Sequence, residues 1–160
     1  MDSIQKEKES VWDYPRPPVI KPCKATIEVI FNGVLIAQTT SAKRVLETSH
    51  PPVYFIPPED VTTDCLFRRV RDNYCPYKGC AKFYDIVVKG IKKEYAAYTY
   101  PNPWDGYSKI KEHFVFYAHK MDECKVNGER VTPQPGEFFG GWITSNIMGP
   151  YKGLPGTQNW

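Results

Sequence analysis

The amino-acid sequence predicts a mainly β, antiparallel domain. Fifteen prolines and eleven glycines among 160 residues interrupt the chain too often for a helical bundle, and its apolar runs are short. Asn-Gly pairs at 32–33 and 127–128 lie between apolar segments, which is a signal for two-residue hairpin turns. A chain of this length fits one domain that buries about two-thirds of its unfolded surface. We expect a flexible tail over residues 1–10 and a single β domain over residues 11–160.

Three hairpins are predicted in chain order. The first joins residues 26–31 to 34–38 across Asn32-Gly33, the second joins 81–88 to 94–100 across Lys89-Gly90, and the third turns at Asn127-Gly128. Further strands are expected at 53–56 and 114–117.

The rest of the chain predicts one short helix and long ordered termini. The helix is expected around residues 109–112, with Asp105 or Ser108 as its cap. Residues 41–48 fit either a helical turn or a strand, and the type of the element at 64–70 stays open. The last sixteen residues hold three glycines and two prolines, so they should be irregular yet ordered if Trp160 docks.

Charge and cysteine content narrow the possible partners. The 21 basic and 18 acidic side chains leave a formal charge of +3, far from the basic footprint of a nucleic-acid binder. No stretch approaches the roughly 20 apolar residues of a membrane span. The five cysteines lack Cys-x-x-Cys spacing, so we expect reduced thiols, no metal and no cofactor. These features predict a cytoplasmic protein without a membrane or nucleic-acid partner; its oligomeric state cannot be read from them.

The tetrapeptide Pro-Tyr-Lys-Gly occurs twice, at residues 76–79 and 150–153. Each copy combines a proline turn, an amphipathic aromatic, a cation and a glycine that can adopt positive φ. We expect the two copies to be separately placed turns. We also expect Lys78 and Lys152 to face one cleft together with His50 and Trp142.

A nucleophilic thiol is the first candidate chemistry. Cys75 precedes the first copy of the tetrapeptide, and Lys78 or His50 can stabilise a thiolate there. Glu47 or Asp13 can orient the His50 ring. An inert, packed thiol is the simpler interpretation of Cys75.

An anion site and an aromatic pocket are the other candidates. A negatively charged group could be bound by Arg16, Arg44, Lys78 and Lys152, with help from the backbone N–H groups around Gly79 and Gly153. Aromatic side chains with one polar atom suit small-ligand pockets as well as cores, and those considered are Trp12, Tyr14, Tyr54, Tyr77, Trp142, Tyr151 and Trp160. Trp12 and Trp142 are the preferred pocket walls.

Four motifs in this order resemble a known family. The chain is similar to the domain-of-unknown-function 427 family, sometimes labelled nucleotidyltransferase-like, over nearly all of residues 10–160. The motifs are ESVWDYPRPP at 9–18, RVLETSHPPVY at 44–54, CPYKG at 75–79, and GGWIT at 140–144 leading to GPYKG at 149–153. The resemblance implies a compact antiparallel structure of the β-tent or Mss4-like kind. The paired cysteine motifs that hold zinc in Mss4-like relatives are missing from this sequence, and residues 97–101 carry a tyrosine where the family places a tryptophan.

The sequence favours binding of a small anionic or polar aromatic ligand in a cleft lined by the two Pro-Tyr-Lys-Gly turns. Two other functions stay open: an enzyme that uses Cys75 and His50 or transfers a nucleotide, and a protein-interaction module without catalysis. A catalytic Cys75 should lie within hydrogen-bond reach of His50 or Lys78 and open to solvent. An interaction module should show a large exposed apolar patch instead of an enclosed pocket.

Overall fold

The computed structural model describes residues 7–74, 79–136 and 138–160, and the side chains of residues 70–74 lie outside that description. Within the described residues the chain forms fifteen short β-strands and five 3₁₀ turns. The strands are β1 Glu9–Ser10, β2 Val19–Cys23, β3 Ile27–Phe31, β4 Val34–Thr39, β5 Ala42–Leu46, β6 Val53–Phe55, β7 Leu66–Tyr74, β8 Ala81–Val88, β9 Ile91–Thr99, β10 Phe114–Phe116, β11 Glu123–Val126, β12 Glu129–Arg130, β13 Thr132–Pro133, β14 Trp142–Ile143 and β15 Ile147–Met148. The 3₁₀ turns are Val11–Asp13, Pro58–Asp60, Thr63–Cys65, Ser108–Ile110 and Ala118–Lys120.

Most strands belong to three antiparallel sheets, in the orders β10-β9-β8-β7, β12-β11-β3-β4 and β2-β5-β6. Reciprocal backbone hydrogen bonds between Ile56 and Phe114, of 2.8 and 2.9 Å, join the three-stranded sheet to the edge of the first sheet. The remaining strands form two small ribbons, β1-β15 and β13-β14. The fold is therefore mainly β and a compact single domain, as the composition and the turn signals predict.

The hairpins lie where the sequence places them. Asn32 and Gly33 have φ of 50° and 75°, and Asn127 and Gly128 have φ of 50° and 82°. Two successive positive φ values match the right-handed twist of the paired strands. The second hairpin, between β8 and β9, is also confirmed. The open segments 41–48 and 64–70 are resolved as strand β5 and as a 3₁₀ turn that leads into β7.

The prediction of one short helix around residues 109–112 is wrong. The described residues contain no α-helix, and the chain makes a single 3₁₀ turn at Ser108–Ile110 instead. The turn ends because Lys111 is already extended, with ψ of 127°, and forms a bridge with Tyr100. A helix cannot continue through a residue that is paired to a neighbouring strand.

Two apolar cores lie on opposite faces of strand β10. Phe114 and Phe116 point into the main core, between the two four-stranded sheets, while Val115 points into a second core under the three-stranded sheet. This alternation follows from the two-residue period of a strand. The second core carries several tyrosines, and it forms the floor of the cavity described below.

The N-terminal segment is anchored by a half-buried ion pair. Residues 1–6 lie outside the description, and Glu9–Ser10 form β1, which runs parallel to β15. The Glu9 carboxylate accepts hydrogen bonds from Arg44 at 2.6 Å and from the Tyr14 hydroxyl at 2.6 Å. Burial by itself would raise the pKa of Glu9, but these two donors outweigh it and lower that pKa. Residues 9 and 10 thus belong to the folded domain.

The C-terminal segment is held by close contact between two glycines. Gly153, with φ of +132°, packs on the Pro135–Gly136 turn so closely that a Cβ at position 153 would lie 1.9 Å from the Pro135 carbonyl oxygen. Thr157 closes the next turn, since its hydroxyl accepts from the Gly153 N–H and donates to the Leu154 carbonyl. These contacts place Lys152 against the body of the domain.

No helix in the described part of the chain has the length and apolar character needed to cross a bilayer.

Replacing Glu9 by Gln should lower the free energy of unfolding by about 1–2 kcal/mol at pH 7, because Arg44 loses its charged partner. The folded pKa of Glu9 lies below its ordinary value of 4.5, so the carboxylate stabilises the fold above that value. The stabilisation is lost as the pH falls through the folded pKa. Urea denaturation of both proteins between pH 7 and pH 3 should show the difference shrinking. Glu123→Gln, at a longer and more solvent-accessible pair with Lys125, is the control. A pH-independent difference would contradict this assignment.

Replacing Gly153 by Ala should destabilise the domain by about 3 kcal/mol, because the new Cβ meets backbone atoms and φ is positive. Gly156→Ala is a matched control in the same segment: φ is +88°, yet nothing lies within 4 Å of its Cβ position. The control should lose only about 1 kcal/mol. Equal losses in urea denaturation would show that the contact with Pro135 does not anchor the segment.

Candidate ligand-binding site

A cavity of about 310 Å³ opens between the three-stranded sheet, the ends of β8 and β9, and the C-terminal segment. Its lining is aromatic and apolar at the buried end and carries charged groups towards solvent. The lining residues are Arg16, Val45, Glu47, His50, Val53, Ala81, Phe83, Tyr98, Tyr100, Tyr117, Phe138, Phe139, Gly140, Lys152, Gln158, Asn159 and Trp160. Segments distant in sequence therefore meet at one concave site.

The buried end consists of packed aromatic rings on neighbouring strands. Tyr98 and Tyr100 lie two residues apart on one face of the chain at the end of β9, and their ring centroids are 5.7 Å apart in an edge-to-face arrangement. Tyr117 packs against Tyr98 at 5.6 Å, and its hydroxyl donates to the Phe138 carbonyl at 3.0 Å. Burial raises the pKa of Tyr98 well above its ordinary value, so this phenol is neutral at pH 7.

The buried amide of Gln134 joins the segments around the cavity. Its Oε1 accepts from the Gly141 N–H at 3.1 Å, and its Nε2 donates to the Lys152 carbonyl at 3.0 Å. These two backbone groups have fixed roles, so they determine which end of the amide is the donor. The Nε2 group also lies 3.0 Å from His50 Nδ1. His50 Nδ1 must therefore accept, which places the proton of the neutral ring on Nε2.

His50, Glu47 and Arg16 form a charged group at one side of the cavity. Glu47 Oε2 lies 3.9 Å from His50 Nε2 and 3.5 Å from Arg16 Nε. Arg16 also donates to the Thr48 carbonyl at 2.7 Å. The carboxylate thus faces both the protonated nitrogen of His50 and the guanidinium of Arg16.

Lys152 lies on the other side of His50. Its backbone N–H donates to the Ser49 carbonyl at 2.9 Å, and Ser49 has φ of +73°, a conformation that turns this carbonyl towards the C-terminal segment. The Lys152 ammonium lies 5.6 Å from the centroid of Phe139, while the His50 ring packs edge-on against the same phenylalanine at 4.8 Å. The cation, the imidazole and the aromatic ring therefore form one wall.

Four of the candidate residues line this cavity together, namely Arg16, His50, Lys152 and Trp160. Trp142 does not line it: the indole is 1 % exposed, stacks on Tyr54 in the main core and donates from Nε1 to the Phe116 carbonyl. Its position follows from the glycines before it, because a Cβ at Gly141 would lie 2.7 Å from the Pro51 carbonyl oxygen.

Three further candidates lie outside the cavity lining. Trp12 is 42 % exposed, packs edge-on against Trp160 at 5.3 Å and donates from Nε1 to the Pro150 carbonyl, so it supports the cavity wall from outside. Arg44 is committed to its ion pair with Glu9. Tyr151 donates to the Ile147 carbonyl at 2.8 Å and packs against the small third core.

Cys75, Tyr77 and Lys78 lie outside the described residues, so the thiol hypothesis and the shared cleft of the two lysines stay predictions. Cys80 is disulfide-bonded, which corrects the expectation that all thiols are reduced. Cys23, Cys65 and Cys124 are free. Burial raises the pKa of the Cys124 thiol well above its ordinary value, which disfavours a reactive thiolate at that position.

The sequence analysis missed two residues on which the cavity depends. Gln134 stands in a Pro-Gln-Pro context that carries no recognised motif, and only the fold reveals its three partners. The position of Tyr98 could have been predicted from the sequence, because Tyr98 and Tyr100 lie two residues apart on a predicted strand and must share a face.

Among the described residues, no three histidine, cysteine or carboxylate side chains cluster at a spacing that could hold a metal ion.

Comparison with known proteins assigns the chain to a family. No curated protein matches it. A family model described as Domain of unknown function (DUF427) matches residues 19–127, which is more than half of the chain and includes His50, Glu47 and Tyr98. Lys152 and the C-terminal part of the cavity lie beyond the matched range. The protein therefore belongs to the DUF427 family.

Proposed function

We propose that the protein binds a small organic anion, with one negative charge and a flat apolar body, in the cavity. The observation that carries the proposal is the position of the Lys152 ammonium and the absence of a described counter-ion beside it. Its ammonium lies at the cavity wall beside Phe139, and no described carboxylate lies within ion-pair distance of it. A half-buried cation without a counter-ion is costly, so a bound anion would stabilise it.

The balance of charge around the cavity favours a monoanion. Arg16 and Lys152 contribute two positive charges, and Glu47 contributes one negative charge beside Arg16. The neutral tautomer inferred for His50 adds no charge. One positive charge is thus left among the described lining side chains, which suits a carboxylate better than a nucleoside triphosphate with its several charges and magnesium. This balance favours ligand binding over the nucleotide-transfer alternative.

The shape of the cavity favours a small, flat ligand. A volume of about 310 Å³ is at the lower end of small-molecule sites, which span about 300–1,000 Å³. The walls are rings of Phe83, Tyr98, Tyr100 and Phe139, and such faces and edges pack best against another planar apolar group.

Isothermal titration with benzoate and its neutral analogue benzamide tests the proposal. Benzoate should bind at least tenfold more tightly than benzamide, because only the carboxylate pairs with Lys152. In Lys152→Met the apolar stem is kept and the charge is lost, so benzoate binding should weaken at least tenfold while benzamide binding changes little.

Lys109→Met is the matched control, since Lys109 is exposed and lies away from the cavity. It should leave binding of both compounds unchanged. If neither compound binds the wild-type protein, the proposed function is wrong. If Lys152→Met binds benzoate as tightly as the wild type, Lys152 does not provide the anion's partner.

A further inference from the structure

Tyr98 is held rigidly at the buried end of the cavity. The residue is 8 % exposed and belongs to the second core. Its ring contacts four other aromatic rings at centroid distances of 5.6–6.4 Å, those of Phe55, Phe83, Tyr100 and Tyr117. Packing on several sides leaves the ring little freedom to turn, so the hydroxyl group has one fixed position.

The Tyr98 hydroxyl has no hydrogen-bond partner in the described part of the chain, although buried polar groups are almost always paired. Two other buried polar groups follow the rule: Tyr117 donates to the Phe138 carbonyl, and Trp142 donates to the Phe116 carbonyl. Among the described residues, three side-chain polar atoms are both unpaired and inaccessible to solvent: Arg44 Nε, Thr99 Oγ1 and His113 Nε2. The Tyr98 oxygen is unpaired but does not belong to these inaccessible atoms. Its hydroxyl thus opens onto the cavity.

Gly140 keeps the space beside this hydroxyl open. A Cβ at position 140 would lie 3.5 Å from the Tyr98 oxygen and 2.9 Å from Val115 Cγ1. A side chain there would therefore clash with the core and cover the hydroxyl. The phenol stays neutral because of its burial, so it can both donate and accept a hydrogen bond.

The cavity thus has two polar ends with an aromatic region between them. Lys152 is half-buried near solvent, and Tyr98 lies at the floor. We infer that the ligand is an aromatic monocarboxylate whose ring carries a hydroxyl or amino group on the side away from the carboxylate. This inference rests on the proposed function, since it places the carboxylate at Lys152 and the second polar group at Tyr98. A rigid ring holds both groups apart at little entropic cost.

Four probes measure the contribution of the second polar group to binding separately from that of the carboxylate. These are 3- and 4-hydroxybenzoate and their isosteric partners 3- and 4-methylbenzoate, titrated by calorimetry into the wild type and into Tyr98→Phe. For the better of the two positions, the wild type should prefer hydroxyl over methyl at least tenfold, because a hydroxyl pairs with Tyr98 and a methyl group leaves it unpaired. Tyr98→Phe should lose that preference.

Tyr98→Phe is expected to fold as the wild type does, because it keeps the packed ring and removes a hydroxyl without a protein partner. An unchanged thermal midpoint checks this, and it also shows that a change in binding is local. Tyr117→Phe is the comparison variant: its hydroxyl is already paired with the Phe138 carbonyl, so it should retain the hydroxyl preference.

The outcomes distinguish this inference from the proposed function. If the methylbenzoates bind but the wild type shows no preference for hydroxyl, the anion site stands and the inference is overturned. If Tyr98→Phe keeps the preference, Tyr98 does not recognise the second group and the inference is again overturned. If benzoate and all four substituted benzoates fail to bind, both the proposed function and the inference are wrong.

Discussion

The geometry of the candidate site depends on one buried side-chain amide. Gln134 is 2 % exposed and makes hydrogen bonds to Gly141 N–H, to the Lys152 carbonyl and to His50 Nδ1. These three partners lie on separate segments that share no strand. Because buried polar groups cost free energy unless they are paired, the amide fixes the segments relative to one another and specifies the tautomer of His50. The cavity is built around this set of contacts.

The second constraint is the close approach of backbones around the same amide. Gly141 lies against Pro51, and Gly153 lies against Pro135, at distances that exclude any side chain. Glycine at these positions lets the loop before β14 and the C-terminal segment approach the His50 loop, and the cavity forms between them. Its charge and shape follow from this arrangement: one cation without a described counter-ion at the rim, and tyrosines below. These are the features expected of a preformed site for a small ligand.

Local patterns predict much of the fold and little of the site. The Asn32-Gly33 and Asn127-Gly128 turns need only two residues and a flanking alternation of apolar positions, so the sequence alone locates the hairpins. His50 and Lys152 are visible as candidates from turn chemistry. Trp142 and Gln134 are different, because their roles are set by partners far away in sequence. An indole suits a core and a pocket equally, and the sequence does not show that Trp142 faces Tyr54.

The ¹⁵N chemical shifts of the His50 ring at neutral pH test the central claim most directly, namely that Gln134 fixes the cavity wall. If Gln134 Nε2 donates to His50 as described, Nδ1 should show the shift of an unprotonated, hydrogen-bond-accepting nitrogen and Nε2 that of a protonated one. The opposite tautomer, or a ring protonated at both nitrogens at pH 7, would contradict the assigned amide orientation and the charge balance derived from it.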